Sequence, residues 1–149
     1  VGRLGPENPQ NSIFRKGGMM KPDLPLVYSC SGCSSAAQMA NQLAIRLDRE
    51  GLAEMSCIAG VGGGVPGLVK TAQSGRPVLA IDGCPMACVR ACLASAGVQA
   101  NAHILLSDFK VRKLKHADFD PDQSDRIFQD RIQPAALALG APGNRLQDS

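Results

Sequence analysis

Short strand-like runs and helical spacings alternate along this chain with turn residues between them. The runs lie at residues 24–28, 54–56, 78–81 and 102–106. After the first, Ser34 or Ser35 suits a helix cap. Met39, Leu43 and Leu47, with Ala36, Ala40 and Ala44 beside them, then recur at helical spacing until Gly51. After the second run comes a glycine loop, Gly60-Val-Gly-Gly-Gly64, and Pro66 opens a brief helix to about Ser74, closed by Gly75. After the third, Asp82-Gly-Cys84 turns the chain and Pro85 suits the first position of a helix to Ala96, with Gly97 past its end.

Residues 110–115 alternate enough to predict a lysine-bearing edge strand, and residues 124–139 predict a last helix interrupted near Pro134. The βαβαβαβ order implies a single three-layer α/β domain, Rossmann-like, with a mainly parallel sheet of four or five strands. Residues 1–22 show no apolar periodicity and contain the pair Met19-Met20, which resembles a translation start, so they read as a disordered leader. The domain then spans 23–139, and 140–149 form a flexible tail.

The cysteines change this picture from a fold to a site. Three of the runs end in them: Cys30-Ser-Gly-Cys33, Cys57, and Cys84-Pro-Met-Ala-Cys88. In a parallel α/β sheet the residues past the strand ends converge on one edge, where such folds place their ligands. A lone cysteine is most often a core residue, but five at three successive strand ends predict a functional thiolate cluster. The helix amino termini that follow Cys30-x-x-Cys33 and that face Cys84 and Cys88 favour thiolate over thiol.

Cys84, Cys88 and Cys92 are four apart and would share one helix face. Cys92, about 12 Å along the axis from Cys84, cannot join it on one ion, since Zn–S bonds of about 2.3 Å hold ligand sulfurs within roughly 4 Å. Cys92 therefore reads as a small buried hydrophobe.

Composition narrows the function further. At 149 residues the chain can bury a core without disulfides. No apolar run is long enough for a membrane span and no secretory signal is present, so a cytoplasmic protein with reduced thiols is expected. A net charge of +3, one Tyr and no Trp speak against nucleic-acid binding. His103, in an apolar strand, and His116, among lysines, read as packing and solvent residues. Asp82 before Gly83 reads chiefly as a cap for its turn. With no hydrolytic constellation in view, a binding protein is expected ahead of an enzyme.

Tyr-Ser-Cys30-Ser-Gly, Ala-Glu-Met-Ser-Cys57-Ile-Ala-Gly-Val-Gly and Ile-Asp82-Gly-Cys84-Pro-Met-Ala-Cys88 resemble the DGC-domain family, small bacterial and archaeal proteins described as zinc-binding. The resemblance covers residues 26–115 and implies a metal site at Cys30, Cys57, Cys84 and Cys88. Cys33 is a thiol beyond that pattern and stands as an alternate or fifth ligand. The expectation is thus a thiolate metal site drawn from Cys30, Cys33, Cys57, Cys84 and Cys88, with zinc as the ion, in an accessory carrier or sensor that exchanges with a donor or acceptor protein. Thiol oxidoreductase or persulfide-carrier chemistry is the main alternative. An iron–sulfur cluster is a further one, although the tight ferredoxin spacings are missing. Gly62-Gly-Gly-Val-Pro-Gly67 matches a dinucleotide fingerprint, but Pro66 inside it and the short helix after it oppose that use.

Overall fold

The computed structural model describes residues 24–141, so the expected leader and most of the expected tail lie outside the described residues. Four strands form one sheet: β1 (Leu26–Ser29), β2 (Glu54–Met55), β3 (Val78–Asp82) and β4 (Ala102–Leu105). All pairings are parallel, in the order β2-β1-β3-β4. β1 and β3 are central and completely buried, as expected for parallel strands covered on both faces.

Alternation along the strands divides the core in two. Val27, Leu79 and Ile81 pack with Met39, Leu43 and Leu47 of α1 (Ser35–Arg49) and with Ile127, Phe128 and Ile132 from the end of the chain. Leu26, Tyr28, Val78 and Ala80 face the other way, against Val61, Ala72, Val89 and Leu93. These last four come from α2 (Ile58–Gly62), α3 (Pro66–Ala72) and α4 (Cys88–Ser95). The result is the three-layer, Rossmann-like arrangement.

The first helix begins where its sequence says it should, with Ser34 Oγ accepting the Ala37 N–H at 3.2 Å and Gly51 leaving it at φ +71°. Four expectations are corrected. Residues 60–62, expected to begin the glycine loop, instead complete α2, which starts at Ile58. The last helical stretch starts earlier than 124, as α5 (Pro121–Ile127), and continues through a π turn (Phe128–Ile132) into α6 (Gln133–Gly140). Pro134 cannot donate to the carbonyl four residues back, and the widened turn precedes it.

The expected edge strand at 110–115 is absent. A 3₁₀ turn (Leu106–Phe109) leads into Lys110 at φ +64°, which breaks the extended path. Ser35 then holds the next residues instead, its Oγ donating to the Arg112 carbonyl at 3.1 Å and accepting the Leu114 N–H at 2.9 Å.

The fourth correction concerns α4, which starts at Cys88 rather than Pro85. Residues 84–87 form a turn closed by the Ala87 N–H on the Cys84 carbonyl at 3.1 Å. Pro85 takes the second turn position, for which its fixed φ is equally suited. Cys84 therefore lies off the helix, and the shared helical face of Cys84 and Cys88 does not exist.

Gly83 is where β3 leaves the sheet against α1. A Cβ there would stand 2.7 Å from the Ala36 carbonyl group and 2.9 Å from the Ala37 nitrogen, all backbone atoms that cannot step aside. Gly83→Ala should therefore cost about 1–3 kcal/mol, the usual range for overpacking, read as a lower urea midpoint at unchanged m-value. An unchanged midpoint would contradict this close approach.

Candidate functional site

The sheet order creates one topological switch point. From β1 the chain moves outward to β2 through α1 on one face. From β3 it moves outward to β4 through α4 on the other. The crevice beyond the carboxyl ends of β1 and β3 lies between those connections, the position at which doubly wound sheets bind ligands. Cys30 directly follows β1 and Cys84 follows β3 by one residue, so the two thiols flank this point.

Backbone contacts tie the two loops together. The Cys30 N–H donates to the Ile81 carbonyl at 3.2 Å, and the Gly83 N–H donates to Cys30 Sγ at 3.2 Å. Burial pushes the Cys30 thiol above the ordinary thiol range. The Gly83 N–H opposes that shift, and the charges of Asp82, Cys84 and Cys88 add to it. Desolvation thus outweighs the preference for thiolate expected at Cys30 from the nearby helix terminus. Cys84 and Cys88 each lie within electrostatic reach of Cys30.

Asp82 organises the far side of the crevice. Its carboxylate is 1% exposed and accepts the Val89 N–H at 2.9 Å and the Arg90 N–H at 3.3 Å, satisfying the first turn of α4. His103 Nε2 lies 2.8 Å from Oδ2, so the ring turns an N–H toward the carboxylate. His103 was expected to be a packing residue. It faces Asp82 because β4 pairs directly with β3, a neighbour relation that the alternation of 102–105 does not reveal. Asp82 does cap, as its place before glycine suggested, but for a helix six residues on.

The remaining thiols spread outward. Cys88 is exposed as the first residue of α4. Cys57 is exposed as the N-cap of α2, off the edge strand β2 and one strand further from β3, and its charge acts on Tyr28. Cys33 is exposed in the bend before α1. Cys92 belongs elsewhere, since its Sγ would stand 2.7 Å from a Cβ on Gly62; the glycine makes room for it between α2 and α4. The glycines of the dinucleotide-like motif are dispersed as well, Gly62 ending α2 and Gly67 lying within α3.

Of the sequence-predicted thiols, Cys30 and Cys84 flank the crevice and Cys88 opens α4 just beyond it, while Cys57 and Cys33 are exposed at the starts of α2 and α1. Among the described residues no three Cys, His, Asp or Glu side chains converge as a preformed metal cage. The donor chemistry nonetheless suits a thiophilic ion, because the crevice offers sulfur while its carboxylate is already engaged by two N–H groups and an imidazole.

A three-layer α/β domain with Asp-Gly-Cys at the turn after its third strand is the class that fold and crevice define, and the chain belongs to the DGC-domain family, whose pattern matches residues 26–130. It is 57% identical over 105 residues to the anaerobic and virulence modulator AnvM of Pseudomonas aeruginosa PAO1, an overlap of 70% of this chain and 80% of that relative. No solved structure matches the chain. No helix among the described residues is long and apolar enough to cross a membrane.

Differential alkylation of the reduced, metal-free protein tests the electrostatic ordering. Iodoacetamide should label exposed Cys33, Cys57 and Cys88 first and Cys30 last, with Cys30 labelling rising only above the ordinary thiol range. A raised thiol pKa favours the protonated folded form, so its stabilising contribution holds below the unfolded pKa and is lost as pH rises through the folded one. Labelling of Cys30 as fast as the exposed thiols would contradict the assignment.

Proposed function

We propose that this protein is a cytoplasmic accessory or regulatory protein that takes up a thiophilic metal ion, zinc foremost, at the cysteine edge of its sheet. The observation that carries the reading is the hydrogen bond from the Gly83 N–H to Cys30 Sγ, which joins the β1 and β3 loops at the switch point with sulfur as the acceptor. Cys30, Cys84 and Cys88 would hold the ion, and Cys57 or Cys33 would supply a fourth thiolate. Four protein ligands leave no open position to activate water, which favours holding, transfer or signalling over catalysis. The name of the P. aeruginosa relative, a modulator, accords with such a role. A donor or acceptor protein would then meet the exposed thiols at the margin.

A second reading, thiol exchange with redox partners, draws on a separate observation: all six cysteines are free, and Cys33, Cys57 and Cys88 are exposed to reagents and partner thiols.

Metal analysis of protein purified without oxygen separates the two. Near-stoichiometric zinc retained in the native chain, lost in Cys84→Ser and kept in Cys92→Ser, is the outcome expected for the metal reading. Equal zinc in both variants would refute the ligand assignment. Metal-free protein carrying a reversible disulfide would support the redox reading instead. Chelation should lower the thermal midpoint modestly and reversibly, because the core of this domain is built on both faces of the sheet and Cys30 is the crevice thiol that packs against it.

A further inference from the structure

Met86 is 71% exposed at the third position of the Cys84–Ala87 turn, where a polar residue would serve the turn equally well. Its surroundings give it a use. Lys113 Nζ lies 3.5 Å from Met86 Sδ and 3.5 Å from Cys84 Sγ, so two sulfurs from one turn face a single cation. That ammonium does not come from a free arm. The residues on either side of Lys113 are fastened to the start of α1, through the Ser35 hydroxyl to Arg112 and Leu114 and through the Ser35 N–H donating to the Leu114 carbonyl at 2.9 Å. The backbone thus delivers a positive charge to a two-sulfur cradle, with Cys88 following in the chain as the first residue of α4.

The geometry points to a soft, monovalent cation of the cuprous class bound between Cys84 Sγ and Met86 Sδ, with Lys113 filling the same cradle when the metal is absent. This deepens the thiophilic-metal reading above and rests on it. A thioether is a neutral, polarizable donor of the kind that selects cuprous copper, whereas protein zinc sites are built from thiolate, imidazole and carboxylate. A site that substitutes a thioether for one thiolate also carries less negative charge, which suits a single positive charge better than two. Cys88, two residues beyond Met86, and Cys30, whose thiol already senses Cys84 and Cys88, are the sulfurs available to complete the shell. On binding, the ammonium leaves, because two cations cannot share one cradle.

The test uses the full chain, reduced and metal-free, titrated without oxygen with cuprous ion against a chromogenic cuprous chelator, and separately with zinc against a zinc chelator. Met86→Leu nearly conserves volume at an exposed turn and leaves folding intact. It should weaken cuprous binding by about tenfold or more, the scale for disturbing a metal's ligand environment, and leave zinc binding unchanged. Acetic anhydride labelling of Lys113, read by mass spectrometry, should rise several-fold when cuprous ion is added to the native chain. Cuprous binding by Met86→Leu equal to that of the native chain, or Lys113 labelling indifferent to the metal, would overturn the cradle while leaving the thiolate reading in place. Failure of the native chain to bind either ion would overturn both.

Discussion

The buried carboxylate of Asp82 constrains this molecule more than any other single group, because a charge with 1% exposure must be fully satisfied where it stands. Its partners are two amide groups from the first turn of α4 and the imidazole of His103 on the neighbouring strand. Meeting them fixes the start of α4 at Cys88 and leaves residues 83–87 to cross the gap as a turn. Ala87, at φ +49°, absorbs the backbone strain of that crossing. The turn then has little freedom: Gly83 lies against the backbone of α1, Cys84 beside the crevice and Met86 at the exposed tip.

With that loop fixed, the thiols differ by environment rather than by motif. Cys30 packs against both core clusters, and desolvation raises its pKa although a backbone N–H points at its sulfur. Cys84 is half-buried with an ammonium beside it, and Cys88, Cys57 and Cys33 are exposed. A thiophilic ion would reverse the preference of Cys30, since metal coordination deprotonates a thiol outright. Under the proposed function, uptake of a metal by this edge would be coupled to proton release from Cys30, while the exposed thiols would meet the ion first.

Much of this was legible in the chain. Strand ends and cysteines coincide in the sequence, and the helical spacing of Met39, Leu43 and Leu47 leaves one reading for α1. The sheet order was not legible, because nothing local says that β3 pairs with β1 rather than β2, and with it went the Asp82–His103 pair. Pro85 fits the first position of a helix and the second position of a turn equally well; only the demand of Asp82 for the amides of Val89 and Arg90 decides between them. The stretch 110–115 misled because alternation in a charged segment carries little weight against Ser35, which captures it from 75 residues or more away along the chain.

In the proposed function, the sulfurs that follow β1 and β3 at the switch point form one metal centre. X-ray absorption at the zinc edge, on protein loaded with one equivalent of zinc without oxygen, tests it directly. The expected first shell is sulfur alone at about 2.3 Å, the distance of zinc thiolates, giving way to lighter scatterers when Cys84 is replaced by Ser. A native first shell dominated by nitrogen or oxygen at about 2.0–2.1 Å would contradict it.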